Sequence, residues 1–221
     1  VDGSLTNSST FSMTGNTSFD FNQGLTNSGT ATFSTGASPT ITVANSITIA
    51  STSTFPANAN ITSDGSTTAT IDASGVTFNN VIINRAHNGC VGTLTFTIAS
   101  GTTIPLGNIP TVNVTNNCAQ GQNLTNNGTI TVGTGTFTVN LTGGTFTNAG
   151  TVTANSVTSF VVDGSLTNSS TFSMTGNTSF DFNQNLTNSG TATFSTGASP
   201  TITIANSITI ASTSTFPANA N

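Results

Sequence analysis

Charged side chains are nearly missing from this sequence. Its 221 residues include one Arg, no Lys, no Glu and six Asp, so 3% of the residues are charged and the net charge is −5. An ordinary globular domain is about one quarter charged. Nucleic-acid binding needs clustered Lys and Arg to contact phosphates, and Arg85 stands alone. The composition therefore argues against a nucleic-acid partner.

Long apolar runs are missing as well. No uninterrupted apolar stretch approaches the ~20 residues that a helix needs to cross a bilayer. We therefore expect no membrane insertion. The sequence begins at Val1 without a charged and apolar leader, so we expect any secretion signal to lie outside these residues.

Tyr and Trp do not occur, but the chain contains 15 Phe. Chains rich in Ser, Thr, Asn and Gly are often disordered, yet disordered segments usually lack aromatic residues and carry high net charge. Here Phe alternates with Thr, Val and Ile, which favours strands that bury one face. The short alternating runs predict an all-β fold, and the spacing of three and four residues that a helix needs is missing.

A short motif, Leu/Phe-Thr-Asn-x-Gly/Ser-Thr, recurs along the chain. Its copies begin at Leu5, Leu25, Leu124, Phe146, Leu166 and Leu186. Successive copies are 20 (25−5), 22 (146−124), 20 (166−146) and 20 (186−166) residues apart. A fixed period of this size is typical of repeat architectures. The sequence predicts a right-handed parallel β-solenoid, or β-helix, with coils of about 20 to 23 residues; the β-sandwich is the main rival, but its strands would differ from one another.

A longer duplication is superimposed on this period. Residues 1–60 recur as residues 162–221, an offset of 161 (162−1), with 58 identities because only Gly24/Asn185 and Val43/Ile204 differ. We interpret residues 1–161 as one superunit of seven coils and residues 162–221 as the start of a second. Residues 61–118 hold the less regular coils, both Cys, the one Arg and the one His.

The alternation assigns residues to the core and to the turns, and Thr and Ser to the outer faces. The predicted core ladder is Leu5, Phe11, Leu25, Phe33, Ile47, Phe55, Leu124, Phe146, Leu166, Phe172, Leu186 and Phe194. The predicted turn residues are Asn7, Asn27, Gly29, Asn126, Gly128, Asn148, Gly150, Asn168, Asn188 and Gly190. Several of these Asn are also candidates for hydrogen-bonded ladders inside the solenoid, as in cross-β stacks.

Cys90 and Cys118 are 28 residues apart (118−90), about one long coil. Neighbouring coils would place them close together, and in a secreted protein a disulfide is the natural interpretation. Free thiols remain an alternative. A metal site with His87 would lack the fourth ligand of structural zinc, so we predict neither a metal nor another cofactor.

The remaining polar residues do not predict an active site. The six Asp are scattered, whereas glycosidases and related enzymes need paired carboxylates. Arg85 and His87, in Asn-Arg-Ala-His-Asn-Gly (84–89), are expected on an exposed loop without a specific function. The alternative is a binding role, because loops often carry functional residues. The sequence therefore predicts that the protein is not an enzyme.

The coils of the type Leu-Thr-Asn-Ser-Gly-Thr-Ala-Thr-Phe (25–33), with Val-Thr-Phe-Asn-Asn-Val-Ile-Ile-Asn (76–84) between them, resemble repeats of large bacterial secreted and surface β-solenoid proteins. The nearest class is that of filamentous-haemagglutinin-like and autotransporter-type adhesins. The resemblance implies an extracellular or cell-surface location. We expect a structural fibre or stalk whose partner is the protein itself, and the alternative is an adhesin that binds glycans or surfaces.

Overall fold

The computed structural model describes residues 1–87, 93–107, 111–116, 118 and 120–221. Every regular element in these residues is a β-strand. The strands are β1 (Leu5–Asn7), β2 (Thr10–Met13), β3 (Ser18–Phe21), β4 (Leu25–Asn27), β5 (Thr32–Thr35), β6 (Thr40–Val43), β7 (Ile47–Ile49), β8 (Asn60–Ser63), β9 (Ala69–Asp72), β10 (Asn80–His87), β11 (Thr95–Ile98), β12 (Thr103–Leu106), β13 (Thr111–Asn116), β14 (Asn123–Asn126), β15 (Thr129–Val132), β16 (Gly135–Asn148), β17 (Thr151–Thr153), β18 (Val157–Asn168), β19 (Thr171–Met174), β20 (Ser179–Phe182), β21 (Leu186–Asn188), β22 (Thr193–Thr196), β23 (Thr201–Ile204) and β24 (Ile208–Ile210).

The strands form a parallel β-solenoid of about 9 turns, with coils roughly 22 residues apart. Each regular coil contributes one strand to each of three faces. In the first coil β1 lies on the first face, β2 on the second and β3 on the third, and the next coil repeats this with β4, β5 and β6 directly alongside. The predicted parallel solenoid is therefore confirmed, and its right-handed sense stays a prediction.

Seven coils make up residues 1–161, as predicted. Their first-face strands are β1, β4, β7, β9, β11, β14 and the second half of β16. The second superunit joins the first without a break, because β16 pairs with β18 along almost its whole length. Both strands run around the corner from the third face to the first, with register shifts at residues 135/136 and 140/144.

Inward side chains lie above one another in columns. The column at the centre of the third face passes through nine coils: Phe21, Val43, Ser63, Ile83, Val112, Val139, Val162, Phe182 and Ile204. Parallel strands bring equivalent residues to the same depth, so a regular period becomes a continuous apolar core. Ser63 is the one polar member of this column.

The first face contains a shift of two residues in register. Leu25 pairs with Ile47 and Ile47 with Ile71, but this line continues through Ile98 to Asn126. The motif residue Leu124 instead pairs with Phe96. Ile98 is therefore in register with Leu25, Ile47 and Ile71, and the motif that begins at Leu124 is offset from it by two residues. Because side chains alternate with a period of two, the shift keeps the same residues inward.

The core is packed with Phe rings. Phe172 is fully buried, its centroid 5.1 Å from that of Phe160 and 5.2 Å from that of Phe194. Of the predicted core residues, Leu5 and Phe11 in the first coil are half-buried and pack against the core. The other ten are buried: Leu25, Phe33, Ile47, Phe55, Leu124, Phe146, Leu166, Phe172, Leu186 and Phe194.

A glycine column marks the corner between the third and first faces. Gly144 and Gly164 pair in register, and a Cβ placed on Gly164 would lie 2.2 Å from the carbonyl oxygen of Gly144. Gly164 has φ +143°, which side chains rarely adopt. Its copy Gly3, in the first coil, has nothing within 4 Å of the same position. The close approach of two coils, rather than the local sequence, therefore requires glycine at residue 164.

Candidate functional site

Arg85 is the most unusual residue of the described chain, and its predicted position on an exposed loop was wrong. Residues 76–83 have the composition of a strand, but β10 begins at Asn80 and continues to His87, which places Arg85 in the strand. The alternation of Val81, Ile83 and Arg85 then points all three side chains inward. Arg85 is 0% exposed, the largest fully buried side chain.

The Arg85 guanidinium contacts residues of several coils. Its Nη1 donates to Ser63 Oγ at 2.7 Å, and its Nη2 donates to the carbonyl oxygens of Ala44 at 2.8 Å and Thr67 at 2.6 Å. Its carbon Cζ lies 5.7 Å from the ring centroid of Phe96, in the following coil. These contacts extend from Ala44, in the corner after β6, to Phe96 in β11. Nε is buried without a hydrogen-bond partner.

Burial lowers the pKa of Arg85 from its usual value to about 10, and the nearby negative charge of Asp64 partly opposes this shift. The guanidinium therefore remains charged at neutral pH. A buried charge is tolerated only where hydrogen bonds and counter-charges replace water. Because its acceptors are two backbone carbonyls and one hydroxyl, the Arg85 site stabilises a corner and offers no surface for substrate.

His87 follows Arg85 in the same strand and is half-buried, so it too does not lie on an exposed loop. Its Nδ1 is 2.9 Å from the carbonyl oxygen of Ser66, in the same corner loop that contains the Arg85 acceptor Thr67. Arg85 and His87 thus contact the neighbouring loop from successive positions of β10. The sequence signal that predicts this arrangement is Ser63, a polar residue in an otherwise apolar column.

The carboxylates do not form a catalytic pair. The register partners of Asp20, Asp163 and Asp181 are not acidic. Asp2 and Asp163 instead accept hydrogen bonds from Asn22 and Asn183 of the next coil, at 3.0 and 3.3 Å. Within the described residues, no group of three or more His, Cys, Asp or Glu could hold a metal ion.

The predicted disulfide is only partly within the described residues. Cys118 lies in a turn and is half-buried, whereas Cys90 lies outside the described residues. No free cysteine occurs in the part of the chain that the structure describes. The pairing of Cys90 with Cys118 stays a prediction, which the mass of the unreduced chain and alkylation of the native protein would test.

The Asn residues assigned to turns lie at the ends of first-face strands, and their side chains are buried. Four of them donate from Nδ2 to the Oδ1 of the Asn above: Asn7 to Asn27 at 2.7 Å, Asn126 to Asn148 at 2.8 Å, Asn148 to Asn168 at 2.8 Å and Asn168 to Asn188 at 2.7 Å. Asn27 and Asn188 lie below Ile49 and Ile210 and donate to the carbonyl oxygens of Thr54 and Thr215. The second Nδ2 hydrogen of Asn148 is donated to a second-face carbonyl, that of Thr171, at 2.9 Å. The buried amides are therefore paired across coils.

The predicted turn glycines follow these Asn residues. Gly29 and Gly190 have φ of 58° and 59°, a left-handed conformation that favours glycine. At Gly128 and Gly150 a Cβ would instead lie 2.4 Å and 2.0 Å from a carbonyl oxygen of the coil below. Two different constraints, conformation and close approach, thus favour glycine at this position in four copies of the motif, whereas Ser9 and Ser170 occupy it in the other two.

The second face is a flat sheet with outward hydroxyl groups in two columns. β12, β15, β17, β19 and β22 form a five-stranded parallel sheet. One column is Thr103, Thr129, Thr151, Thr171 and Thr193, and the other is Pro105, Thr131, Thr153, Ser173 and Ser195. The hydroxyls of Thr129, Thr131, Thr151 and Thr153 make no hydrogen bond within the described residues. The second-face segments of the sequence contain no charged residue.

Two equivalent clefts lie between the second and third faces. One, of about 310 Å³, is lined by residues that include Ser38, Pro39, Pro56 and Asn58. The duplicated residues 194–200 and 215–219 line the other, of about 280 Å³. Ser38 has φ of 49° in the first cleft, and its copy Ser199 has the same value. The cleft is therefore a repeated feature of the superunit, lined by uncharged side chains that are mostly small and include two Phe.

No protein-family model matches the sequence, and neither a curated protein nor a solved structure is significantly similar to it. Among the described residues, no helix has the length and apolar character needed to cross a membrane.

Proposed function

We propose that the chain is a structural protein that forms an extracellular fibre or stalk by continuous stacking of solenoid coils. The junction between the superunits carries this proposal. There β16 pairs with β18 over eleven register positions, from Gly135↔Val157 to Asn148↔Asn168. One superunit thus adds to the next through the same ladder that joins coils within a superunit, and such a stack has no inherent length.

The buried Asn column of the first face supports stacking in a fixed register. In this column the lower residue donates and the upper residue accepts, from Asn126 through Asn148 and Asn168 to Asn188. The column ends at Asn188, whose register partner in the next coil is Ile210 and whose Nδ2 donates to the carbonyl oxygen of Thr215 at 3.0 Å. Such polar columns also fix the register of stacked strands, because a slipped coil would leave a buried donor without a partner.

The two copies of the third coil show what a further coil would cover. Ile47 and Ile49 are buried, with 1% and 2% exposure, whereas their copies Ile208 and Ile210 are 51% and 37% exposed. A further coil, from the same chain or from another copy, would bury these two side chains. The partner that fits this surface is therefore a solenoid coil of the same kind.

Electron microscopy of the native material tests the proposal. We expect fibres with an axial repeat of about 34 Å, because seven coils each advance ~4.8 Å. Discrete rods of fixed length would contradict the fibre and favour an adhesin. Release of sugars from a panel of polysaccharides would contradict both, since a structural or adhesive protein has no hydrolytic activity.

An adhesin that binds glycans is the second candidate, and the twin clefts are the observation that favours it. They repeat with the superunit, and each is lined by two Phe and by small uncharged side chains. A glycan array tests this role with Asn58→Ala and Asn219→Ala as paired variants. Binding that weakens with each variant would support the adhesin; no binding by the unmodified chain would exclude it.

A further inference from the structure

The second face carries a geometric pattern that the fibre does not require. Its two outward columns hold Thr in the first position of all five strands and Thr or Ser in the second position of four. Hydroxyl groups in neighbouring coils are separated by the strand spacing, ~4.8 Å, and the two hydroxyl groups of one strand by two residues, ~6.6 Å. The result is a two-dimensional lattice of hydroxyl and methyl groups, fixed by the backbone ladder.

We infer that this face binds the surface of ice. In hexagonal ice the oxygen atoms of exposed planes repeat at two perpendicular distances that are close to those of the Thr lattice. The hydroxyls of Thr129, Thr131, Thr151 and Thr153 make no hydrogen bond within the described residues, so they are available to water. Each of these hydroxyls is accompanied by a methyl group, which restricts the motion of neighbouring water. The inference does not depend on fibre formation.

The charge distribution favours a neutral, regular ligand. All charged residues lie on the first or third face or at the corners that join these faces; none lies in the second-face segments. Ice has no net charge and offers both donors and acceptors, so each Thr hydroxyl finds a partner.

Polysaccharide surfaces fit this face less well than ice. Sugar rings are commonly bound by exposed aromatic side chains, and the chain has no Tyr or Trp. The Phe side chains on the strands of this sheet, Phe172 and Phe194, are buried in the core. The second face therefore presents hydroxyl and methyl groups and no aromatic platform.

Ice growth in a solution of the whole chain tests the inference. We expect the unmodified chain to shape ice crystals and to lower the temperature at which they grow below their melting temperature. Thr151→Tyr, at the centre of the array, should abolish this gap, because an aromatic ring that projects from a flat face blocks contact. Thr147→Tyr is the matched control: it lies in the same coil on the first face, is equally half-buried, and should retain the gap.

Circular dichroism establishes that each variant remains folded, and Thr129→Tyr provides a second position if Thr151→Tyr does not fold. Unchanged ice growth with the unmodified chain would overturn the inference. Equal loss in Thr151→Tyr and Thr147→Tyr would also overturn it, as would binding to microcrystalline cellulose without any effect on ice.

Discussion

At the scale of single residues, the buried Arg and Asn side chains form hydrogen bonds with groups of other coils. A chain with one Arg places that residue inside, where Ser63, Ala44 and Thr67 accept its hydrogen bonds. The buried Asn residues are paired in the same way, each with the coil above it. In both cases the polar group joins separate coils and so contributes to their registration.

We predict that Arg85→Lys destabilises the protein more than Arg85→Met does. Lysine keeps the buried charge but lacks the planar fork that reaches Ser63 and two carbonyls, so the charge loses partners. We expect a loss of about 1–3 kcal/mol in the free energy of unfolding for Arg85→Lys. Methionine removes the charge and retains apolar volume against Phe96. Urea unfolding measures both variants, and a Lys variant as stable as the unmodified protein would contradict the role given to the fork.

At the scale of elements, identical sequences have different surroundings in the two superunits. Gly3 and Gly164 belong to copies of the same segment, yet only Gly164 has another coil directly against it. The duplication therefore supplies controls that keep the local sequence constant while the packing and the backbone conformation differ.

We predict that Gly164→Ala is destabilising and that Gly3→Ala is nearly neutral. The new methyl group at residue 164 would meet the Gly144 carbonyl, and backbone atoms move less readily than side chains. Overpacking of this kind costs about 1–3 kcal/mol. Thermal unfolding of the two variants measures the difference. Equal effects would show that neither the contact with Gly144 nor the positive φ of Gly164 determines the need for glycine.

The sequence predicts the solenoid, its period, its superunit and ten of the twelve core residues as buried, because all of these follow from local alternation and repetition. It does not predict the register shift at Ile98 or the inward position of Arg85. Both features depend on where a strand begins relative to the coil beneath it. Residues 76–79 have the composition of a strand but lie outside β10, which begins at Asn80. The sequence predicts that Thr residues face outward. Their arrangement in two columns follows only from the register of the strands, which the sequence does not predict.

At the scale of the whole molecule, stability depends almost entirely on uncharged groups. Backbone ladders, Phe stacks and Asn columns join the coils, and only 3% of the residues are charged. The net charge of −5 is spread over a long solenoid and contributes little repulsion.

We predict that thermal unfolding changes little between low and high concentrations of sodium chloride. Salt screens charged pairs over a Debye length of about 10 Å at 0.1 M, and few such pairs exist here to be screened. Scanning calorimetry at several salt concentrations measures the effect. A strong decrease in the unfolding temperature with salt would show that ion pairs contribute more than the structure indicates.

The near-identity of residues 1–60 and 162–221 also affects how the chain reaches its native state. In newly made protein, either copy can dock on a coil that normally accepts the other, because both present the same motif. Interchangeable segments of this kind promote exchange between molecules and misassembly of repeats. Synthesis from the N-terminus reduces this risk, since the first copy has already docked when the second emerges. Refolding from denaturant removes that order and should therefore produce entangled oligomers.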